Sequence, residues 1–198
     1  MNEKKALLQQ AQEIQKLIRR MNLTLDPLQA DLDFTLAEWS KNEQNQFWRR
    51  TLVRCLLALT EALLWNMKRV VPKVAAVSGN QLSADELSVA TEKRVTTRNG
   101  KLVQKQLRLK FRDNVRATFS LFGKVHGVAY ELKADKDFDA FCATYELRSR
   151  LMHPKEPFDP NVSNDDILVA RRGVAWLMRE WGELMTECTA AVPRIVKR

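Results

Sequence analysis

The stretch SNDDILVARRGVAWLMREWGELMTEC, residues 163–188, decides the fold class. Ile167, Ala170, Val174, Leu177, Trp181, Leu184 and Cys188 recur at spacings of 3-4-3-4-3-4. That period keeps one apolar stripe on one face of a helix and is the seam of a helix bundle. Ser163 stands where an N-cap belongs, and Asp166 completes a capping box.

Working outward, three more stretches carry helical stripes and a fourth ends on a proline signal. Pro154, Pro157 and Pro160 stiffen the preceding loop. Before it, a helix over 135–152 buries Phe138, Phe141, Cys142 and Tyr145 and ends at His153-Pro154, because the residue before proline is pushed out of the α region. A helix over 110–126 carries Phe111, Val115, Phe119 and Phe122, with Gly127 placed to stop it. A helix over 45–71 carries Leu52, Leu56, Leu59, Leu63, Met67 and Val70. Leu57, Leu64 and Trp65 widen its stripe, and Pro72 marks its end. A first helix over 3–21 carries Leu7, Ala11, Ile14, Ile18 and Met21. Asp26-Pro27 then breaks the pattern, and 28–45 reads as a connector laying Leu32, Phe34, Leu36 and Trp39 on the body. After Pro193 a short basic tail frays.

Residues 78–106 differ. Ser78-Gly79-Asn80 is a loop signal, and Ser83 with Glu86 caps a short helix. Arg94–Arg98 and Lys101–Lys105 read as strands joined at Asn99-Gly100, the dipeptide that suits a type I′ turn. The fold class is therefore all-α, a helical bundle with a small β-hairpin insertion. Residues 1–198 form one domain, and 78–106 are inserted between its helices.

Composition bounds the function. The chain has 198 residues, 45% hydrophobic and 29% charged, which is the soluble globular range. The longest apolar runs, such as Cys55–Leu59, are too short to span a bilayer. The N-terminal Met-Asn-Glu-Lys-Lys has no signal-like apolar core, so the expected location is cytoplasmic, without a membrane. The formal charge of +9 favours a polyanionic partner, nucleic acid first and an anionic membrane surface second. The same charge also serves solubility. Cys55, Cys142 and Cys188 are far apart and read as small buried hydrophobes rather than a disulfide framework or zinc site. With two histidines, His126 and His153, no histidine-rich metal site is expected. No phosphate loop, dinucleotide fingerprint, HExxH, CxxC or nucleophile elbow occurs, and no cofactor is implied.

Two constellations remain. From Lys93 to Arg112 there are eight cations and no acidic residue: Lys93, Arg94, Arg98, Lys101, Lys105, Arg108, Lys110 and Arg112. On a hairpin they would track a phosphate backbone without reading bases. The other reading is an edge hairpin guarded by its lysines against aggregation. The second constellation is Arg148-Ser149-Arg150-Leu151-Met152-His153. Ser149 and His153 are four apart and share a helix face, and Arg148 reaches it with a long side chain. Histidine exchanges protons near neutral pH, arginine holds phosphate bidentately, and a small polar residue orients either partner. Together they suffice for metal-free RNA cleavage through the 2′-hydroxyl. The bland reading is a helix end carrying cations against its macrodipole. Glu61 either locks an arginine of this site or belongs to a solvated ion-pair face with Arg50, Arg54 and Lys68. His126, before Gly127, reads as a cap or surface residue, and Trp176 and Trp181 as core and dimer packing.

The stretch Leu147–Pro154, its proline-rich loop, the long capped helix after it and Phe47-Trp48-Arg49-Arg50 resemble the HEPN superfamily (higher eukaryotes and prokaryotes nucleotide-binding). The resemblance covers about residues 40–190 in layout and six residues in specific motif. It implies a helical homodimer in which two motif copies face one another. It also implies a metal-independent endoribonuclease of toxin–antitoxin, phage-defence or RNA-processing type, or an inactive binding module of the same fold. The family arginine maps to Arg148 and the histidine to His153. Ser149 stands where the family usually has Asn, Asp or His. RNA is the expected partner, beside a possible antitoxin or defence-system protein.

Overall fold

The computed structural model describes residues 2–98 and 101–195. The Asn99-Gly100 turn lies outside the described residues, as do the side chains of Leu7, Ala11, Ile14 and Arg98. Six helices and one hairpin follow in order: α1 (Asn2–Lys41), α2 (Gln46–Ser78), α3 (Ala84–Thr91), β1 (Lys93–Arg98), β2 (Lys101–Gln106), α4 (Phe111–Val125), α5 (Lys136–Met152) and α6 (Asn164–Ile195). The class is all-α with a β-hairpin inserted between α3 and α4. No described helix is long and apolar enough to cross a membrane.

The chain divides into two compact units. One takes Asn22–Leu63 and Lys133–Gly182. Its core joins Leu32 of α1, Leu52, Val53, Leu56, Leu57 and Leu59 of α2, Leu147 and Leu151 of α5, and Ile167, Ala170 and Val174 of α6. Trp176 packs beside it, its ring 4.9 Å from Phe138 and 5.3 Å from Phe141. Gly173 permits this closeness: a Cβ there would lie 2.6 Å from the Phe141 Cα. The other unit takes the chain up to Met21, Leu64–Leu132 and the chain from Glu183 on. It buries Leu64, Met67, Val71 and Val74 of α2, Val115, Phe119 and Phe122 of α4, and Leu184 and Cys188 of α6. Burial pushes the Cys188 thiol up to about 12, so it behaves as a small apolar side chain. Cys55 and Cys142 are only half-buried.

Several local expectations hold. Ser83 and Glu86 make both bonds of a capping box, and Ser163 with Asp166 makes the equivalent pair at α6. β1 and β2 pair antiparallel from Lys93↔Gln106 to Arg98↔Lys101. α5 ends at Met152, with His153 as C-cap.

Three boundaries are corrected. Pro27, Pro72 and Pro193 all lie inside helices. The 28–45 connector is thus mostly helix: α1 runs to Lys41 and α2 starts at Gln46. Proline in a helix interior removes one bond and crowds the preceding turn, so packing must offset about 3 kcal/mol. For α1 that packing is Leu25, Leu28, Leu32, Leu36 and Trp39, all set against the core. Thr35 fills the gap in this stripe, buried, with its hydroxyl donating to the Asp31 carbonyl at 2.7 Å. Phe34, which blurs the period in the sequence, points outward and is 63% exposed. For α2 the residues after Pro72 include the buried Val74 and Ala75.

Candidate functional site

The end of α5 carries the proposed cleavage motif. α5 is capped at its start by Asp135, whose carboxylate accepts from the backbone N–H of Asp137 and Phe138. Phe138, Phe141, Thr144, Leu147 and Leu151 then bury one face. That leaves Arg148 half-buried and Ser149 exposed.

Arg148 meets Glu61 of α2 as a fork: Nε lies 3.1 Å from Oε1, and Nη2 donates to Oε2 at 3.1 Å. Its guanidinium also lies 6.0 Å from the centre of the Tyr145 ring. The Ser149 hydroxyl donates back to the Tyr145 carbonyl at 3.3 Å. His153 is exposed, and its backbone N–H donates to the Ser149 carbonyl at 3.0 Å. Among the described residues no side-chain hydrogen bond joins His153 to Arg148 or Ser149. Of the two readings of Glu61, pairing with an arginine of the motif is the one found. Lys68 is not on a solvated face at all, being 4% exposed.

The basic segment is arranged differently. Lys93, Arg94, Lys101, Lys105, Arg108, Lys110 and Arg112 are all exposed. Lys93, Arg94, Lys101, Lys105, Arg108 and Lys110 make no ion pair among the described residues. At the base of the hairpin, Lys68 donates to Glu92 Oε1 at 2.7 Å and to the Asn114 side chain. Glu92 adopts φ 55°, a left-handed conformation that reverses the chain from α3 into β1.

Sequence reasoning missed two buried polar residues, Arg49 and Glu180, and the burial of a third, His126, whose reading as a helix cap holds. Arg49 is 4% exposed, and its guanidinium donates to the Glu43 carbonyl at 2.5 Å, the Val162 carbonyl at 2.8 Å, Gln44 at 3.0 Å and the Asn164 side chain. It fastens the start of α2 to the loop before α6. Glu180, fully buried in α6, accepts from the Lys133 backbone N–H at 3.4 Å. His126 is buried rather than on the surface: it caps α4 and its Nδ1–H donates to the Phe122 carbonyl at 2.8 Å.

Two carboxylates, Asp137 of α5 and Asp166 of α6, are held ionised. Arg172, then Arg179, hold the Asp137 carboxyl below the usual range. Burial opposes the charge on Asp166, but hydrogen bonds from Ser163 and Arg150 outweigh it and hold that carboxyl low as well. Among the described residues no three His, Cys, Asp or Glu side chains gather as a metal site.

Compared with protein-family models, curated proteins and solved structures, the chain matches none of them.

Proposed function

We propose that this protein binds RNA through the hairpin arm and cleaves it, as a metal-independent endoribonuclease of HEPN type, at Arg148, Ser149 and His153. The observation that carries the binding is that Lys93, Arg94, Lys101, Lys105, Arg108 and Lys110 are exposed and make no ion pair among the described residues. Such a row releases counterions from a phosphate backbone on contact. The location that goes with this reading is cytoplasmic, and the partners are a second copy of the chain and an antitoxin or defence-system protein.

For cleavage, His153 takes the proton of a 2′-hydroxyl. The 2′-oxygen bonds to the adjacent phosphorus, the bond to the 5′-oxygen breaks, and that oxygen takes up a proton. The products are a 2′,3′-cyclic phosphate and a 5′-hydroxyl. Arg148 neutralises the charge on phosphorus, with the incoming phosphate competing against Glu61 for the fork. A dimer brings a second His153 for the second proton.

A second reading, a non-catalytic HEPN-like module, is favoured by one observation: the Arg148 fork and the Ser149 hydroxyl are already engaged within the chain. Cleavage of total cellular RNA in EDTA decides between the two. His153→Ala and Arg148→Ala should each lower the rate by about 10²–10⁴-fold with the helical content intact. Arg148→Lys should rescue only partly, because the planar fork is lost. A wild-type dimer that binds RNA and cuts none establishes the binding module. Undiminished cleavage by His153→Ala places the catalyst elsewhere.

A further inference from the structure

A cleft of about 740 Å³ opens between the second half of α2, α3 and β1. That size lies within the range of small-ligand sites, about 300–1,000 Å³. Trp65 lines it and is 50% exposed, a large aromatic surface left in water. One turn on, the exposed Arg69 lies over the indole, 5.0 Å from its centre. Lys93 and Arg94 line the cleft from β1, exposed and without an ion pair among the described residues. Leu87 and Val95 add apolar lining, both more than one-third exposed.

The cleft is built into the fold. Lys68 and Glu92 both line it, and their 2.7 Å bond ties α2 to the junction where α3 turns into β1. The hairpin base is thereby held across from Trp65 instead of swinging on its loop.

We propose that this cleft receives one base of single-stranded RNA, stacked on the Trp65 indole, with the flanking phosphates on Lys93 and Arg94. The proposal rests on the RNA-binding reading and adds what the arm alone lacks, a contact to a base. An aromatic face beside paired cations is the common construction for holding single strands, and it tolerates any base because every base has a π-face. A duplex keeps its bases stacked on one another and offers none to the indole. Arg69 lies over one face of the indole, so the base takes the other.

The test is binding of the full chain to a short dye-labelled oligouridylate and to an RNA duplex of equal length. Trp65→Ala should weaken single-strand binding roughly 5- to 100-fold and leave duplex binding unchanged. Trp65→Leu keeps apolar bulk and should lose as much, whereas Trp65→Phe should stay within about threefold of wild type. The salt slope should be unmoved by Trp65→Ala and reduced by about 1.4 units in the Lys93→Gln, Arg94→Gln double variant. Wild-type-like single-strand binding by Trp65→Ala or Trp65→Leu overturns the stacking site and leaves the RNA reading standing. Equal losses on single strand and duplex do the same. A wild-type protein that binds neither RNA overturns both.

Discussion

From Lys93 to Lys110, six exposed cations make no ion pair among the described residues, although Glu92 adjoins the first of them. Around α5 and the first half of α6 four arginines are answered: Arg148 by Glu61, Arg150 by Asp166, Arg172 by Asp137, and Arg179 by Asp135, Asp137 and Glu180, while the exposed Arg171 lies 5.9 Å from the centre of the Trp39 ring and makes no ion pair among the described residues. Arg49 has no carboxylate, but four acceptors surround it. Both regions are rich in cations, and they differ in that the motif arginine already holds a carboxylate whereas the described hairpin cations hold none. A phosphate reaching the hairpin displaces water and counterions. A phosphate reaching Arg148 must displace Glu61, which already holds the guanidinium in the bidentate geometry a phosphate would use.

The largest expected effect breaks or upholds that contrast directly. Replacing Lys101, Lys105, Arg108 and Lys110 together with glutamine should reduce the salt slope of RNA binding by about three units. Between 50 and 200 mM salt the wild type should then lose roughly 60-fold more affinity than the variant. Arg148→Gln should move the slope by no more than about one unit, because its charge is offset in the resting protein. Fluorescence anisotropy over a salt series reads both. An arm variant with the wild-type slope, or Arg148→Gln with the larger change, would reverse the assignment of free and answered charge.

The two regions also differ in how far their sequences disclose them. The arm was legible because its information is local: a dipeptide turn, two short strands and a run of like charges. Likewise the capping boxes at Ser83 and Ser163 need only three residues of separation, and the α6 stripe repeats on a period the backbone itself sets. The α5 end was legible as a helix end, and its ion pair only as one of two readings of Glu61, because Glu61 lies 87 residues from Arg148 and nothing local chooses between them. Arg49 was opaque for the same reason, its carbonyl acceptor Val162 lying 113 residues away. The prolines misled because their local cost is real. Whether a helix continues past one depends on the packing that follows, and in α1 that packing hides behind a buried threonine and an exposed phenylalanine.

A smaller effect tests how the α5 region keeps its geometry. Gly173→Ala would drive a methyl into the Phe141 backbone, which cannot rotate away as a side chain tip would. We expect a loss of about 1–3 kcal/mol in unfolding free energy, read by denaturant titration. Gly182→Ala, in the same helix with nothing near the added methyl, should instead gain roughly 0.5–1 kcal/mol from helix propensity. Equal responses at the two positions would mean that α5 and α6 are not held by this close crossing.

The smallest effect concerns a third condition for a basic group, neither free nor answered by an acid. His126 is buried at the end of α4 against Phe122, the two rings 4.4 Å apart. Burial pushes its pKa below the ordinary 6.5, and the hydrogen bond to the Phe122 carbonyl recovers only part of that. The neutral ring is therefore the folded form, while the unfolded chain takes up a proton near the ordinary value. Above about pH 6.5 both states are neutral and His126 contributes its full stability. As pH falls from there toward the depressed folded value, the unfolded state binds the extra proton and stability declines, by at most about 1.4 kcal/mol per pH unit. Asp137 and Asp166, whose carboxyls are held low, lose their contributions only further down, in the acid range. The difference between wild type and His126→Gln isolates the histidine: it should be constant above about pH 6.5 and shrink as the pH falls below it. Chemical denaturation at several pH values measures it. A difference that stays constant as the pH falls would mean the ring accepts its proton in the folded state, and that His126 belongs with the free cations after all.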